Sequence, residues 1–242
     1  MTNILAPPPV QPIPSFRLPW FVRLVLRQCW LMIHLLFSIY QFGSHFLQVV
    51  ESYIISLGLL QSYQNLQLHN LRHLAIVVDS EEARNTLKVK ELLHWVSKIG
   101  VNYLTLYDME GVLKKSLDGD LSNFTSGMTV KLLSFTDGKG GLAKAASFLC
   151  SKYQNDELTS YNMKDPKITE SEISDALNAV GCGGPDPDLL LVYGPVRCHL
   201  GFPAWRIRYT EIIHMGSLKS MKYGAILKAL FEFSKKQQNY GS

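Results

Sequence analysis

Cysteine is scarce and scattered: Cys29, Cys150, Cys182 and Cys198 are all the chain has, and no two form a CxxC pair. That excludes a zinc ribbon or a thioredoxin-type redox motif and leaves free thiols. Concentrated positive charge is absent too. The formal net charge is +4, yet no dense Lys/Arg block exists, so the clustered footprint of a nucleic-acid binder is missing. No nucleic-acid partner is expected. The glycines make no phosphate cradle. Gly181-Cys182-Gly183-Gly184-Pro185 lacks GxGxxG spacing, and Asp137-Gly138-Lys139-Gly140-Gly141 has its lysine outside Walker spacing. Both read as turns. No i,i+4 histidine pair, no Ser/His/Asp constellation and no internal repeat stands out.

A longer absence is informative. From Gln28 to Val50 there is no Asp, Glu, Lys or Arg. A bilayer crossing needs about 20 apolar residues, so residues 16–50 are expected to form a membrane segment. Trp20 and Trp30 lie near its N-terminal side, where aromatic residues favour the interface. Gln28, His34, Gln41 and His45 interrupt the run, which keeps an interfacial helix or a signal peptide as rivals. Arg17, Arg23 and Arg27 cluster at its start, and the next basic residue after it is Arg72. The positive-inside rule then puts the N-terminus in the cytosol. A single span would send the rest into the lumen, whereas a re-entrant or interfacial insertion would leave both ends cytosolic; the globular part is expected in the cytosol. Residues 1–15 are Pro-rich and read as an extended tail.

Hydrophobic residues make up 47% of the 242-residue chain, and mean hydropathy is +0.04. These values fit a globular domain with one membrane segment. Residues 51–70 read as an amphipathic connector helix, and residues 71–242 as the domain. His73–Asp79, Val101–Tyr107, Thr129–Phe135 and Asp188–Tyr193 have the short apolar runs of buried strands. Between them, Glu81–Lys98, with Leu87, Leu92, Leu93 and Val96 as its apolar face, is helical and stops at Gly100. Leu142–Tyr153, Thr169–Val180 (N-cap Thr169 or Ser171) and Tyr223–Lys236 are further helices. The alternation predicts an α/β fold with a mostly parallel sheet flanked by helices.

Such sheets bind ligands beyond the carboxyl ends of their strands, where Asp79, Asp108 and Gly194 fall. A lone Asp79 could hold Mg²⁺ against a diphosphate. However, Ser80-Glu81-Glu82-Ala83 follows it, without glycine and with two carboxylates that repel a diphosphate. Glu81 and Glu82 are read instead as partners of the positive end of the next helix.

Residues Gly183–Ile213, GGPDPDLLLVYGPVRCHLGFPAWRIRYTEII, resemble the Nogo-B receptor type subunit of dehydrodolichyl diphosphate synthase. The shared features are PDPDL, the YGPV turn, LGF, the Trp that follows and the TEI run. TDGKGGLAKAA (Thr136–Ala146), HLAIVVD and GVNYLTLYD resemble the same family. The likeness covers roughly Leu71–Ser242; the N-terminal segment matches in character alone. It implies an undecaprenyl diphosphate synthase-like fold of roughly six mostly parallel strands. It also implies a heterodimer with a catalytic cis-prenyltransferase subunit, which adds isopentenyl diphosphate to farnesyl diphosphate with Mg²⁺ held mainly by the partner. The product would be a long polyprenyl diphosphate, for dolichol and protein glycosylation or a rubber-type polymer. The endoplasmic reticulum membrane is the implied location.

The departures from active cis-prenyltransferases are as informative. Those enzymes follow the first strand with Asp-Gly-Asn-Gly-Arg, whereas here only Asp79 remains. Their Phe-Ser-x-Glu-Asn-Trp motif is Asp108-Met109-Glu110-Gly111 here, and their Arg-Thr-Ser-Gly-Glu is Val192-Tyr193-Gly194-Pro195-Val196, without the arginine and the glutamate. The resemblance therefore implies no catalytic residue and no metal ligand in this chain alone. Non-catalytic subunits end in Arg-x-Gly, which reaches into the partner's active site. Here Gly241 matches and Asn239 replaces the arginine, losing its charge and bidentate reach. Asn239 and Gly241 are the candidate substrate-binding residues, and an Asn-x-Gly ending resembles plant members. Trp205, Ile207, Ile212 and Ile213 are candidate anchors of the partner interface, with ordinary core packing as the alternative. A scaffold or receptor with a degenerate enzyme fold, and a standalone prenyltransferase with remodelled chemistry, are the rival functions.

Overall fold

The computed structural model describes residues 19–60, 63, 68–117, 127–157 and 168–236. The chain divides into two compact units, Met1–Val50 and Glu51–Ser242. Helix α1 (Trp20–Ser56) runs through the first and ends in the second. It is long and apolar enough to cross a membrane, with a mean hydropathy of 1.5 over its most apolar stretch. Its side chains within the first unit are largely exposed, including Trp30, Leu36 and Phe42. The connector expected as a helix over residues 51–70 is the end of α1 as far as Ser56. Gly58, at φ 72, follows, and Leu68–Asn70 form one 3-10 turn.

The second unit is built on five parallel strands in the order β3-β2-β1-β4-β5. They are β1 (Leu74–Val78), β2 (Tyr103–Tyr107), β3 (Thr129–Leu133), β4 (Leu189–Tyr193) and β5 (Glu211–Gly216). Leu74 pairs with both Leu104 and Leu189, so β1 is the centre of the sheet. The four expected strands form, each trimmed at its ends. The fifth, β5, was not expected as a strand. It is an edge strand whose Glu211-Ile212-Ile213-His214 run is half-buried apart from the exposed Ile212, and its two isoleucines are flanked by polar residues, so it lacks a continuous apolar run. Against the roughly six strands implied by resemblance, the described residues contain five, all parallel.

The helices of this unit are α2 (Ser80–Ala83), α3 (Thr86–Ile99), α4 (Val112–Leu117), α5 (Lys139–Glu157), α6 (Glu170–Ala179) and α7 (Tyr223–Lys235). Strand residues alternate between faces, and the two faces are unequal. Leu74, Ile76, Leu104, Leu106, Leu189 and Leu191 meet α3, α4 and α7 in the larger cluster. Each fully buried Leu there contributes about 1.5–3 kcal/mol. The other face carries Ala75, Val77, Tyr107, Leu133, Leu190, Val192 and Phe202. Helices α5 and α6 build their own cluster around Ala145, Leu149, Ala176, Leu177 and Cys182. Gly141 permits that packing, since a Cβ there would stand 2.8 Å from the Cys182 sulfur.

Local signals explain the element ends. Asn85 caps α3 and accepts from Lys88 N at 3.3 Å, and Gly100 closes the helix in the left-handed region at φ 93. The buried face of α3 is Val89, Leu92, Leu93 and Val96, and Leu87 is 78% exposed. Leu87 was expected in that face, but the spacing 89-92-93-96 is the helical stripe and 87 lies off it. Thr169 and Glu172 form a capping box at the start of α6. All four cysteines are free, and Cys182 alone is buried.

Candidate functional site at the carboxyl ends of the strands

The strand order reverses direction between β1 and β4, and a doubly wound sheet opens its crevice at such a point. Asp79 and Gly194 stand there, immediately after β1 and β4. Asp79 N donates to Tyr193 O at 2.9 Å. Its side chain accepts from Glu81 N at 3.3 Å and so caps α2. A side chain at position 194 would find its Cβ 3.2 Å from Leu200 Cδ1 and 3.3 Å from Asp79 Cβ. Leu200 thus fills the space beside the carboxylate with an apolar side chain. The loop that brings it there is held from below: Tyr107 OH donates to Gly201 O at 2.9 Å. The Tyr107 ring meets Phe202 edge-on at 5.5 Å. Leu200 adopts φ 47, a left-handed conformation uncommon for a branched residue. Burial, with help from Asp108, pushes the Tyr107 hydroxyl up to about 12, so it remains a donor.

The neighbouring strand end is closed in the same manner. Asp108 is fully buried. Its oxygens accept from Val112 N at 2.7 Å and Leu113 N at 3.0 Å, capping α4. After β3, Asp137 accepts from Ser134 N at 2.8 Å and from Ser134 Oγ at 3.0 Å, and pairs with Lys114. Burial alone would raise the Asp137 carboxyl; the Lys114 and Ser134 hydrogen bonds outweigh it and hold the group below its usual value. Glu82 is engaged as well. It accepts from Ser217 Oγ, and from Leu218 N at 2.7 Å, tying α2 to the turn after β5. Glu82 keeps its expected place in the first turn of α2, at the helix's positive end, and caps another segment as well. Glu110 pairs with Arg84 at 3.3 Å on the surface.

Among the described residues no three His, Cys, Asp or Glu side chains come together as a metal site. Asp108 accepts through both oxygens and Asp79 through one. Of the cations near these strand ends, Lys114 is engaged by Asp137 and Arg84 by Glu110.

The proposed interface residues are not gathered on one surface. Ile212 pairs with Leu190 and Ile213 with Leu191, so they face opposite sides of the sheet. Ile212 is 41% exposed, whereas Ile213 packs on the larger core cluster. Ile207 packs beside Phe202 on the smaller face, and Trp205 packs on the α5–α6 cluster. Asn239 and Gly241 lie outside the described residues.

No protein-family model matches the chain. Curated relatives do. The human dehydrodolichyl diphosphate synthase complex subunit NUS1 is 27% identical over 201 residues, covering 70% of this chain and 66% of the relative. The nus1 subunit of the same complex in Schizosaccharomyces pombe is 23% identical over 210 residues, covering 70% of this chain and 76% of the relative. This chain resembles the NUS1 subunits. The match spans just under two thirds of the human relative's length. Among solved structures, a probable undecaprenyl diphosphate synthase from Campylobacter jejuni superposes with a TM-score of 0.51 at 18% identity, covering 71% of this chain and 99% of that one. Lavandulyl diphosphate synthase from Lavandula x intermedia gives 0.54 at 15% identity, with 71% and 98% covered. The NUS1-like chain has the undecaprenyl diphosphate synthase-like fold, and at the sheet's switch point its loops are fastened to its own carboxylates.

Sequence reasoning placed Asp79, Asp108 and Gly194 at the strand ends but missed what holds them. An Asp just before a helix is an N-cap signal, and Asp79 carries it directly before α2. Leu200 and the Glu82 bridge had no sequence signal, since each depends on a contact distant along the chain.

Proposed function

We propose that this chain is the non-catalytic, membrane-anchoring subunit of a heteromeric cis-prenyltransferase that makes long-chain polyprenyl diphosphates. One observation carries the reading. The carboxylates at the sheet's switch point and beside it cap this chain's own helices, and Leu200 fills the space between Gly194 and Asp79. The likeness to NUS1 subunits of the dehydrodolichyl diphosphate synthase complex supports a catalytic cis-prenyltransferase partner. That partner would hold Mg²⁺ and carry out the addition of isopentenyl diphosphate to farnesyl diphosphate. Helix α1 would seat the pair at the endoplasmic reticulum membrane, with the globular unit in the cytosol; its length and hydropathy support the membrane segment alone. The tail with Asn239 and Gly241 would enter the partner's active site, where the Asn amide and the Gly241 N–H can donate to a diphosphate. The partner interface would include Trp205, Ile207, Ile212 and Ile213, of which Ile212 is the most exposed residue of β5.

The test is incorporation of labelled isopentenyl diphosphate with farnesyl diphosphate and Mg²⁺. The arms are this chain alone, the partner alone, the pair, and the pair lacking Asn239–Ser242. Turnover in the intact pair with loss on truncation is expected. Full turnover in the truncated pair would reduce the chain to a scaffold, and turnover by the chain alone would overturn the reading.

A further inference from the structure

A second concavity lies at the opposite end of the strands from Asp79. It has a volume of about 440 Å³ and opens between α6 and the segments that lead into β4 and β5. Its walls include Leu142, Ile173, Leu177 and Trp205, with Arg206 and Arg208 as its cations. Arg206 is 2% exposed. Its Nη2 donates to Pro185 O, and its Nε and Nη1 are buried without a hydrogen-bond partner among the described residues. A guanidinium buried with idle donors is strongly disfavoured unless something polar completes it.

The surroundings favour an anion. Lys131 Nζ donates to Gly183 O at 2.6 Å. A Cβ on Gly184 would sit 3.3 Å from Arg206 Nη2 and 3.4 Å from Lys131 Nζ, so the two cations flank one glycine. Gly184 has φ 147, where a side chain is strained, and that keeps the space beside both cations clear. The carboxylates lining the cavity are Glu170 and Asp186. Glu170 is taken by Arg208. Asp186 lies on the solvent-exposed loop and acts on Arg206 through its charge, with no hydrogen bond to it.

We propose that this cavity binds a small organic anion, an apolar chain or ring carrying a phosphate monoester or a carboxylate, with Arg206 on the anion and the Trp205–Leu177–Ile173 wall on the apolar body. Nε and Nη1 lie on different edges of the guanidinium, so Arg206 can offer either anion one idle N–H from an edge. Apolar pockets with a few convergent polar groups are the usual form of such sites. The inference does not rest on the function proposed above, although the cavity shares Trp205 with the partner interface proposed there.

The test is calorimetric titration of the full chain in nanodiscs, with empty nanodiscs subtracted. The probes are hexyl phosphate, hexanoate, hexanol and inorganic phosphate, which are small and water-soluble. Saturable binding of hexyl phosphate or hexanoate is expected, at least tenfold tighter than hexanol or inorganic phosphate. The ratio of the two anions identifies the preferred head group. Arg206→Met should weaken it at least tenfold. Because Arg206 is buried, Ser174→Trp on the exposed rim is the second variant; it should weaken binding as much while leaving the melting temperature unchanged. No saturable binding, equal binding of hexanol, or binding unaffected by Ser174→Trp would overturn the proposal.

Discussion

Gly224→Ala should destabilise the packing of α7 against residues 51–56. A Cβ on Gly224 would stand 2.0 Å from the Ser52 carbonyl oxygen, 2.9 Å from the Ser52 carbonyl carbon and 2.8 Å from Ser56 Oγ. Comfortable separations between non-bonded heavy atoms are about 3.5–4.0 Å, so one helix must retreat, and no rotamer change moves a backbone oxygen. The hydrogen bond from Gly224 N to Ser56 Oγ, 2.9 Å, and the Lys228–Glu51 pair, 2.6 Å, would be strained together. Overpacking of this type costs about 1–3 kcal/mol. In an isolated helix the same substitution is favourable by up to about 1 kcal/mol, so the sign of the change separates the two effects. The assay is thermal unfolding of the full chain in nanodiscs. Domains of this size lose about 2–4 °C per kcal/mol, so a fall of several degrees is expected. Ser56→Ala should not rescue Gly224→Ala, because the worst clash is with backbone. An unchanged or raised melting temperature in Gly224→Ala would refute the reasoning.

Two further predictions concern stability. Asp108→Ala removes both caps of α4 and leaves two amides buried without partners, for a loss of about 2–4 kcal/mol in urea unfolding; Asp108→Asn should recover part of it. His73 is held neutral: burial first, and the Arg206 charge second, bring it down from 6.5 to about 4. The unfolded chain therefore takes up a proton below pH 6.5 that the folded chain refuses. Stability from this group is complete above that value and falls by on the order of 3 kcal/mol by pH 4. His73→Gln, which can keep the hydrogen bond to Thr105 Oγ1, seen at 2.8 Å, should flatten that slope between pH 4 and 6.5.

How much of this was legible in the sequence follows from the range of each interaction. Strands β1, β2 and β4 are buried on both faces, so each is a continuous apolar run that announces itself. The end of α3 at Gly100 and the start of α6 at Thr169 were equally legible, because those residues act within a few positions of their own; the start of α3 was not, since the helix expected over Glu81–Lys98 breaks into α2 and α3 at Asn85. Strand β5 was not, because an edge strand needs a neighbour to define it. The placement of the candidate interface residues depends on the same pairing. Ile212 and Ile213 are adjacent in sequence, but period-two geometry sends them to opposite faces of the sheet. Arg206 carried no signal at all, since its burial arises from segments that meet only in the folded chain.

The most direct measurement is the turnover of the assembled pair when this chain carries Asp79→Asn. Asparagine is as good a helix cap as aspartate, so α2 and the fold should survive, and an unchanged melting temperature would verify it. If Asp79 only caps α2, incorporation of isopentenyl diphosphate should stay within about twofold of the parent pair, since loss of a surface charge away from the chemistry has little effect. A loss of about a hundredfold or more, about 2.7 kcal/mol in the barrier, would place Asp79 in the reaction and contradict the account.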